Sequence, residues 1–182
     1  MKKIFYLSLL LILPLNLFGQ FSKSLKEMKY DSNLSYEKYE SLIFKATSYI
    51  FSNPFNPKSE EFYSAAQIVS FWMNKDTGVG IPVYGDFYKS LTNKNQQQFL
   101  YTTAMIHYGL DQKINHNRIL KCVPIKGQKY SMQEDVREVQ LEGAKVILEY
   151  MGNKKNNVPM SRKTKKYFKA YKKNLLKEKF FE

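Results

Sequence analysis

The sequence predicts an all-α protein, a single compact helical domain of about five main helices, on three grounds. Apolar residues recur at three and four along five segments, the spacing that lines them up on one face of a helix. Pro, Gly and Asn stand between those segments, where a helix has to stop. Cys122 is the only cysteine, so no internal disulfide can form and packing alone must hold the fold; fourteen Tyr and thirteen Phe supply large apolar area for it.

Residues 1–20 have the order of a secretory signal peptide: Lys2 and Lys3, an apolar run over 4–13 broken only by Ser8, then Pro14, Asn16 and the small Gly19. Cleavage is expected near Gly19 and Gln20. A membrane-spanning helix needs about 20 apolar residues, and Pro14 and Asn16 interrupt this run. No cysteine lies there to carry a lipid. The expected address is export through the secretory pathway, to a periplasmic or extracellular location. Residues 21–34 are polar without a clear period and read as a flexible N-terminal tether. The helical domain is expected over 35–182.

The first helix is predicted over 36–51, where Tyr39, Leu42, Ile43, Ala46, Tyr49 and Ile50 form the stripe and Asn53 with Pro54 ends it. The second opens at Asn56–Pro57 or at Ser59, with Glu60 and Glu61 in the first turn, where the helix dipole favours negative charge. Phe62, Ala65, Ala66, Val69, Trp72 and Met73 are its apolar face, and Gly78, Gly80 and Pro82 forbid continuation. A short turn over 86–91 leads to a third helix over 95–110. That helix is apolar on two faces, Phe99, Met105, Ile106 and Leu110 on one and Leu100, Ala104 and Tyr108 on the other, which predicts a central position. Ser131 and Glu134 match a capping box at the start of a fourth helix. Its stripe is Val136, Val139, Gly143, Val146, Ile147 and Tyr150, and Gly152 is a suitable stop. Residues 81–84 and 123–125 suit a minor two-stranded ribbon. The helix starts are unequally spaced and carry no recurring pattern, so a repeat array is not indicated.

The fifth helix, over 161–181, has Met160, Thr164, Tyr167, Phe168, Tyr171 and Leu175 on one side. Lys163, Lys165, Lys166, Lys169, Lys172, Lys173, Lys177 and Lys179 cover most of the remainder. The last thirty residues hold eleven Lys or Arg, Lys154, Lys155 and Arg162 among them, against Glu178 and Glu182, a local charge of +9 in a chain of net charge +13. Such a basic amphipathic helix suits an anionic membrane surface, lipopolysaccharide phosphate or an acidic protein. Export makes nucleic acid the poorer partner. The competing reading is a solvated face, partly neutralised by the fourth helix, which carries a net −3 over 134–149.

Chemistry is thinner. The loops over 76–86 and 111–130 hold Asp76, Asp86, His116 and Cys122, candidates for a hydrolase acting on an envelope polymer, with Trp72 near enough in sequence to stack on a sugar. A thiolate is a nucleophile once an imidazole takes its proton. A lone cysteine beside Val123, however, also reads as a small buried apolar residue. Paired carboxylates across a cleft would serve a glycosidase, yet helix capping explains Glu60, Glu61, Asp76 and Asp86 as well. His107 follows Leu100 and Ala104 on one face and is expected to be hydrogen-bonded and partly buried. Two His and one Cys without ligand spacing indicate no metal site, and no motif indicates a cofactor. The primary expectation is an exported, non-enzymatic envelope protein that binds an anionic surface or acidic partner through its C-terminal helix; the alternative is the hydrolase.

Overall fold

A computed structural model describes residues 19–31, 36–74, 77–92 and 96–181. Among them stand eight α-helices: α1 (Gln20–Tyr30), α2 (Tyr36–Ser52), α3 (Glu60–Met73), α4 (Gly85–Ser90), α5 (Gln97–His116), α6 (Glu134–Gly152), α7 (Arg162–Lys172) and α8 (Leu176–Phe181). The all-α class holds, and the described residues contain no strand. Of the expected signal segment only Gly19 and Gln20 are described. No helix among the described residues is long and apolar enough to cross a membrane.

α5 is central, as its two apolar faces require. It packs against α2 on one side and α6 on the other, and Leu100, Tyr101, Ala104, Met105, Ile106 and Leu110 are buried. Across from them lie Ile43, Ala46 and Ile50 of α2 and Val136, Val139, Ala144 and Ile147 of α6. Each fully buried Leu, Ile, Val or Met among them contributes about 1.5–3 kcal/mol relative to exposure. Gly143 lets the α5 and α6 backbones close up, since a Cβ built there would lie 2.6 Å from Met105 Cγ. The Tyr101 hydroxyl donates to the Gln140 carbonyl at 2.9 Å, so this buried polar atom is partnered.

Several expectations are corrected. The described residues hold eight helices, not five: α1 stands where a tether is expected, α4 where a turn is expected, and α8 where the fifth helix is expected to continue. Residues 21–34 are not a tether throughout: Phe21, Leu25 and Met28, at i, i+4 and i+7, hold α1 on α3. Residues 85–90 form a helical turn instead of a loop. α5 runs six residues beyond its last apolar stripe position and ends at Asn117, whose φ of 52° puts it in the left-handed region. The Arg118 N–H then reaches back to the Gln112 carbonyl at 2.9 Å, which the Asn117 N–H also approaches, so one carbonyl of the last turn takes both departing donors. The capping box at Ser131 does not form: Ser131 sits in a 3-10 turn, and α6 starts after Gln133, which has no side-chain cap bond. Asp135 takes that role, accepting from Val136 N–H at 2.8 Å and from Cys122 N–H at 2.7 Å.

The ribbon is also absent. One bond, Gly80 N–H to the Lys121 carbonyl at 2.8 Å, stands where pairing is expected. The carbonyls of Pro82 and Tyr84 point instead to the Gln140 side-chain amide, at 2.9 and 3.1 Å, so they have no partner strand to bind.

Candidate anion-binding face

The basic C-terminal segment is two helices packed on the body. α7 begins at Ser161, whose hydroxyl accepts from the Thr164 N–H at 3.0 Å. Ser161 and Thr164 both donate from their hydroxyls to the Ser90 carbonyl at 2.9 Å, which ties the start of α7 to the end of α4. Gln97, at the start of α5, donates to the Pro159 carbonyl at 2.7 Å and fixes the approach. α7 ends where Asn174 takes φ 57°, with Leu175 N–H bonded to the Ala170 carbonyl and Asn174 N–H to the Tyr171 carbonyl. That Schellman stop splits the predicted 161–181 helix and throws Leu175 into solvent at 49% exposed. α8 then folds back: Phe180 packs 5.0 Å from Phe87, and Arg137 of α6 lies 4.1 Å over the Phe181 ring.

The aromatic stripe is therefore used by the fold. Thr164 and Tyr167 are buried, Phe168 and Tyr171 half-buried, and Tyr167 meets the Phe87 ring edge-on at 5.0 Å. Burial pushes the Tyr167 hydroxyl above its ordinary range, with Asp86 adding to the effect.

All eight lysines are exposed. None makes an ion pair with a carboxylate among the described residues. Lys172 lies over the Phe168 and Tyr171 rings and Lys179 over Tyr167, at 5.3 to 5.6 Å. Three acidic side chains of α6 are engaged elsewhere. Glu138 accepts from Arg118 at 3.0 Å to each oxygen and from the Tyr108 hydroxyl at 2.6 Å. Burial alone would raise its pKa, but these two partners hold it below the ordinary carboxylate range. Glu142 takes Lys145 and Asp135 takes Cys122 N–H. On the helical wheel Arg162, Lys166, Lys169 and Lys173 fall at i, i+4, i+7 and i+11, directly opposite the buried stripe. Arg162 thus completes a face that the sequence assigns to lysines alone, and it obeys the same i+4 spacing.

Beside this stripe, between the end of α6 and the start of α7, lies an open groove of about 550 Å³. Met151, Val158, Met160 and Phe168 line it with Lys154, Lys165 and Lys169. Gly152 lets the Phe168 ring close on the end of α6, since a Cβ there would lie 2.7 Å from that ring.

The hydrolase candidates do not gather. Trp72 and Cys122 line one cavity of about 30 Å³, room for a water molecule and not for a sugar ring. Trp72 is 2% exposed, which leaves it no open face for stacking. Asp86 lines a different cavity with Gln140 and Tyr167. His116 sits on the exposed last turn of α5, 3.4 Å from Asp111, and lines neither. Asp76 lies outside the described residues. His107 is hydrogen-bonded as expected, with Nδ1 3.0 Å from the Thr47 hydroxyl and its ring stacked on Phe44; burial lowers its pKa. No group of three or more metal-ligating side chains occurs among the described residues.

Cys122 is buried, and burial, then Asp135 and Glu138, push its thiol up to about 12. A nucleophile needs the opposite shift. Alkylation of native protein near pH 8 is expected to run roughly a thousandfold slower than after unfolding; equal rates would contradict the buried placement.

Compared with protein-family models, with curated proteins and with solved structures, the chain matches none of them.

Proposed function

We propose that this is an exported envelope protein that binds a polyanionic surface through the basic face of α7 and α8. The observation that carries the reading is the lack of internal charge balance: eight exposed lysines and Arg162, none ion-paired among the described residues, on a helix whose apolar side is spent on the core. Spending the stripe this way favours adsorption over insertion, because little apolar area is left to enter an acyl layer. Suitable surfaces are anionic phospholipid, lipopolysaccharide phosphate or an acidic protein. The groove with Lys154, Lys165 and Lys169 suits a single phosphate group lying against an apolar floor.

Vesicle flotation is the test. The protein is expected to float with phosphatidylglycerol vesicles at about 10 mM salt, where the screening length is about 30 Å, and to be released near 1 M, where it is about 3 Å. Vesicles of phosphatidylcholine alone are expected to leave it in solution. Indifference to both lipid charge and salt, repeated with a soluble acidic polymer, would refute the reading.

A further inference from the structure

Glu61 is an acidic side chain held in the core, 5% exposed, and no Lys or Arg among the described residues pairs with it. Its oxygens are taken by two backbone donors, Gly19 N–H on Oε2 at 3.0 Å and Phe21 N–H on Oε1 at 3.1 Å. Both donors are neutral, so the carboxylate is hydrogen-bonded but faces no cation among the described residues. Its presence is felt nearby: burial first, then Glu61, raises the Tyr49 hydroxyl above its ordinary range. Both donors belong to the start of α1, at the place where the signal-like segment ends.

We propose that hydrolysis of the Gly19–Gln20 peptide bond is a maturation step, and that the Gln20 α-ammonium it creates docks on Glu61 as the missing counter-charge. The reaction needs water and an endopeptidase of the signal-cleaving type. Water's oxygen bonds to the Gly19 carbonyl carbon as the C–N bond breaks, giving a carboxylate on the departing segment. The Gln20 nitrogen takes up both protons of the water and, at neutral pH, is an ammonium, since an α-amino group ordinarily titrates at about 7.7–8.0. The leaving segment carries away the Gly19 N–H and so strips Oε2 of its donor. Gln20 nitrogen stands in the chain between the two present donors and brings both the replacement N–H groups and a full positive charge. Phe21 N–H stays on Oε1. The local sequence serves both stages: Gly19, at φ 87°, turns the backbone into α1, and a small residue is what such a peptidase accepts on the departing side. Cleavage thereby converts a neutral cap into a charged clamp that holds α1 on α3. This inference is independent of the lysine face.

The full 182-residue chain, expressed in a secreting bacterial host, is expected to yield a mature protein that starts at Gln20. N-terminal Gln cyclises to pyroglutamate through attack of its neutral amine on the side-chain amide, with loss of ammonia. An ammonium clamped by Glu61 resists this, by about tenfold for each unit that pairing raises its pKa. Intact-mass measurements over time are therefore expected to show slow ammonia loss from native protein and at least severalfold faster loss in urea. Glu61→Gln, which keeps an acceptor for Phe21 N–H but removes the charge, is expected to speed the native reaction to the unfolded rate and to lower Tm by a few degrees. Any other first residue, absence of cleavage, or equal cyclisation rates in native and unfolded wild-type protein overturns the proposal. The last comparison decides even if the variant does not accumulate.

Discussion

Replacing Arg162, Lys166, Lys169 and Lys173 together by Gln is expected to weaken binding to phosphatidylglycerol vesicles about a thousandfold at low salt, with Tm unchanged. A basic residue near an anionic surface strengthens attachment by about fivefold, so four on one stripe multiply to roughly that figure. The four side chains lie opposite the packed side of α7 and are exposed, so their loss opens no cavity. Gln matches Lys closely in helix propensity, so α7 itself is preserved. Lys172 and Lys179 provide the internal contrast, since each also lies over an aromatic ring on the packed side of α7. Their replacement is expected to cost less binding and some stability, the cation–π contacts contributing about 0.5–1 kcal/mol at exposed sites. If the quadruple variant floats like wild type while the lysine-over-ring variant does not, the stripe is not the contact surface.

The central architecture was legible because long helices announce themselves by apolar period. α2, α3 and α6 lie within a few residues of their predicted limits, and α5 was placed at the centre from its two apolar faces. What stayed hidden is structure that period does not encode. α1 rests on only Phe21, Leu25 and Met28 among polar neighbours, too sparse a stripe to stand out, and its N-terminal anchor is Glu61, forty residues away. The ends of α5 and α7 depend on Asn117 and Asn174 adopting the left-handed conformation. Asn is one of the few residues that does so at low cost, so both stops were readable in principle. The capping box failed for a tertiary reason: Gln133 donates to the Val123 carbonyl at 3.0 Å and Asp135 holds the same loop, which moves the helix start past Ser131.

The candidate face was legible in a different way. Charge surplus is a property of composition, and exposure of lysine follows from its hydration, so the eight lysines could be assigned without coordinates. Whether acidic neighbours would neutralise them could not, because that depends on which helix faces which. The net −3 of the fourth helix looked like a partner. In the fold three of those carboxylates are engaged away from the lysines: Glu138 with Arg118 and Tyr108, Glu142 with Lys145 of its own helix, and Asp135 with the Cys122 backbone. Scattered reactive residues give the opposite lesson. Nearness of Cys122 and His116 in sequence meant nothing, because Asn117 ends the helix between them and the chain then turns Cys122 into the core and leaves His116 in water.

Gly143→Leu is expected to destabilise the protein by about 3 kcal/mol, the upper part of the range for overpacking a tight core. For a chain of this size that corresponds to a Tm drop of roughly 6–12 °C. The reason lies in what a side chain would meet: a Cβ at this position is 2.6 Å from Met105 Cγ, 3.1 Å from its backbone N and 3.2 Å from its Cα. Only the first of these can move. Met105→Ala alone removes a side chain that is 1% exposed and is expected to cost about 2–5 kcal/mol through the cavity it leaves. Combined, the two changes partly compensate, as the new Leu occupies space vacated by Met. The double variant is expected to be more stable than the sum of the single effects by at least about 1 kcal/mol, yet still below wild type because the Met105 backbone contacts persist. Additivity within about 0.5 kcal/mol would mean that the two residues do not share this space, and that glycine at 143 is tolerated by α6 rather than demanded by α5.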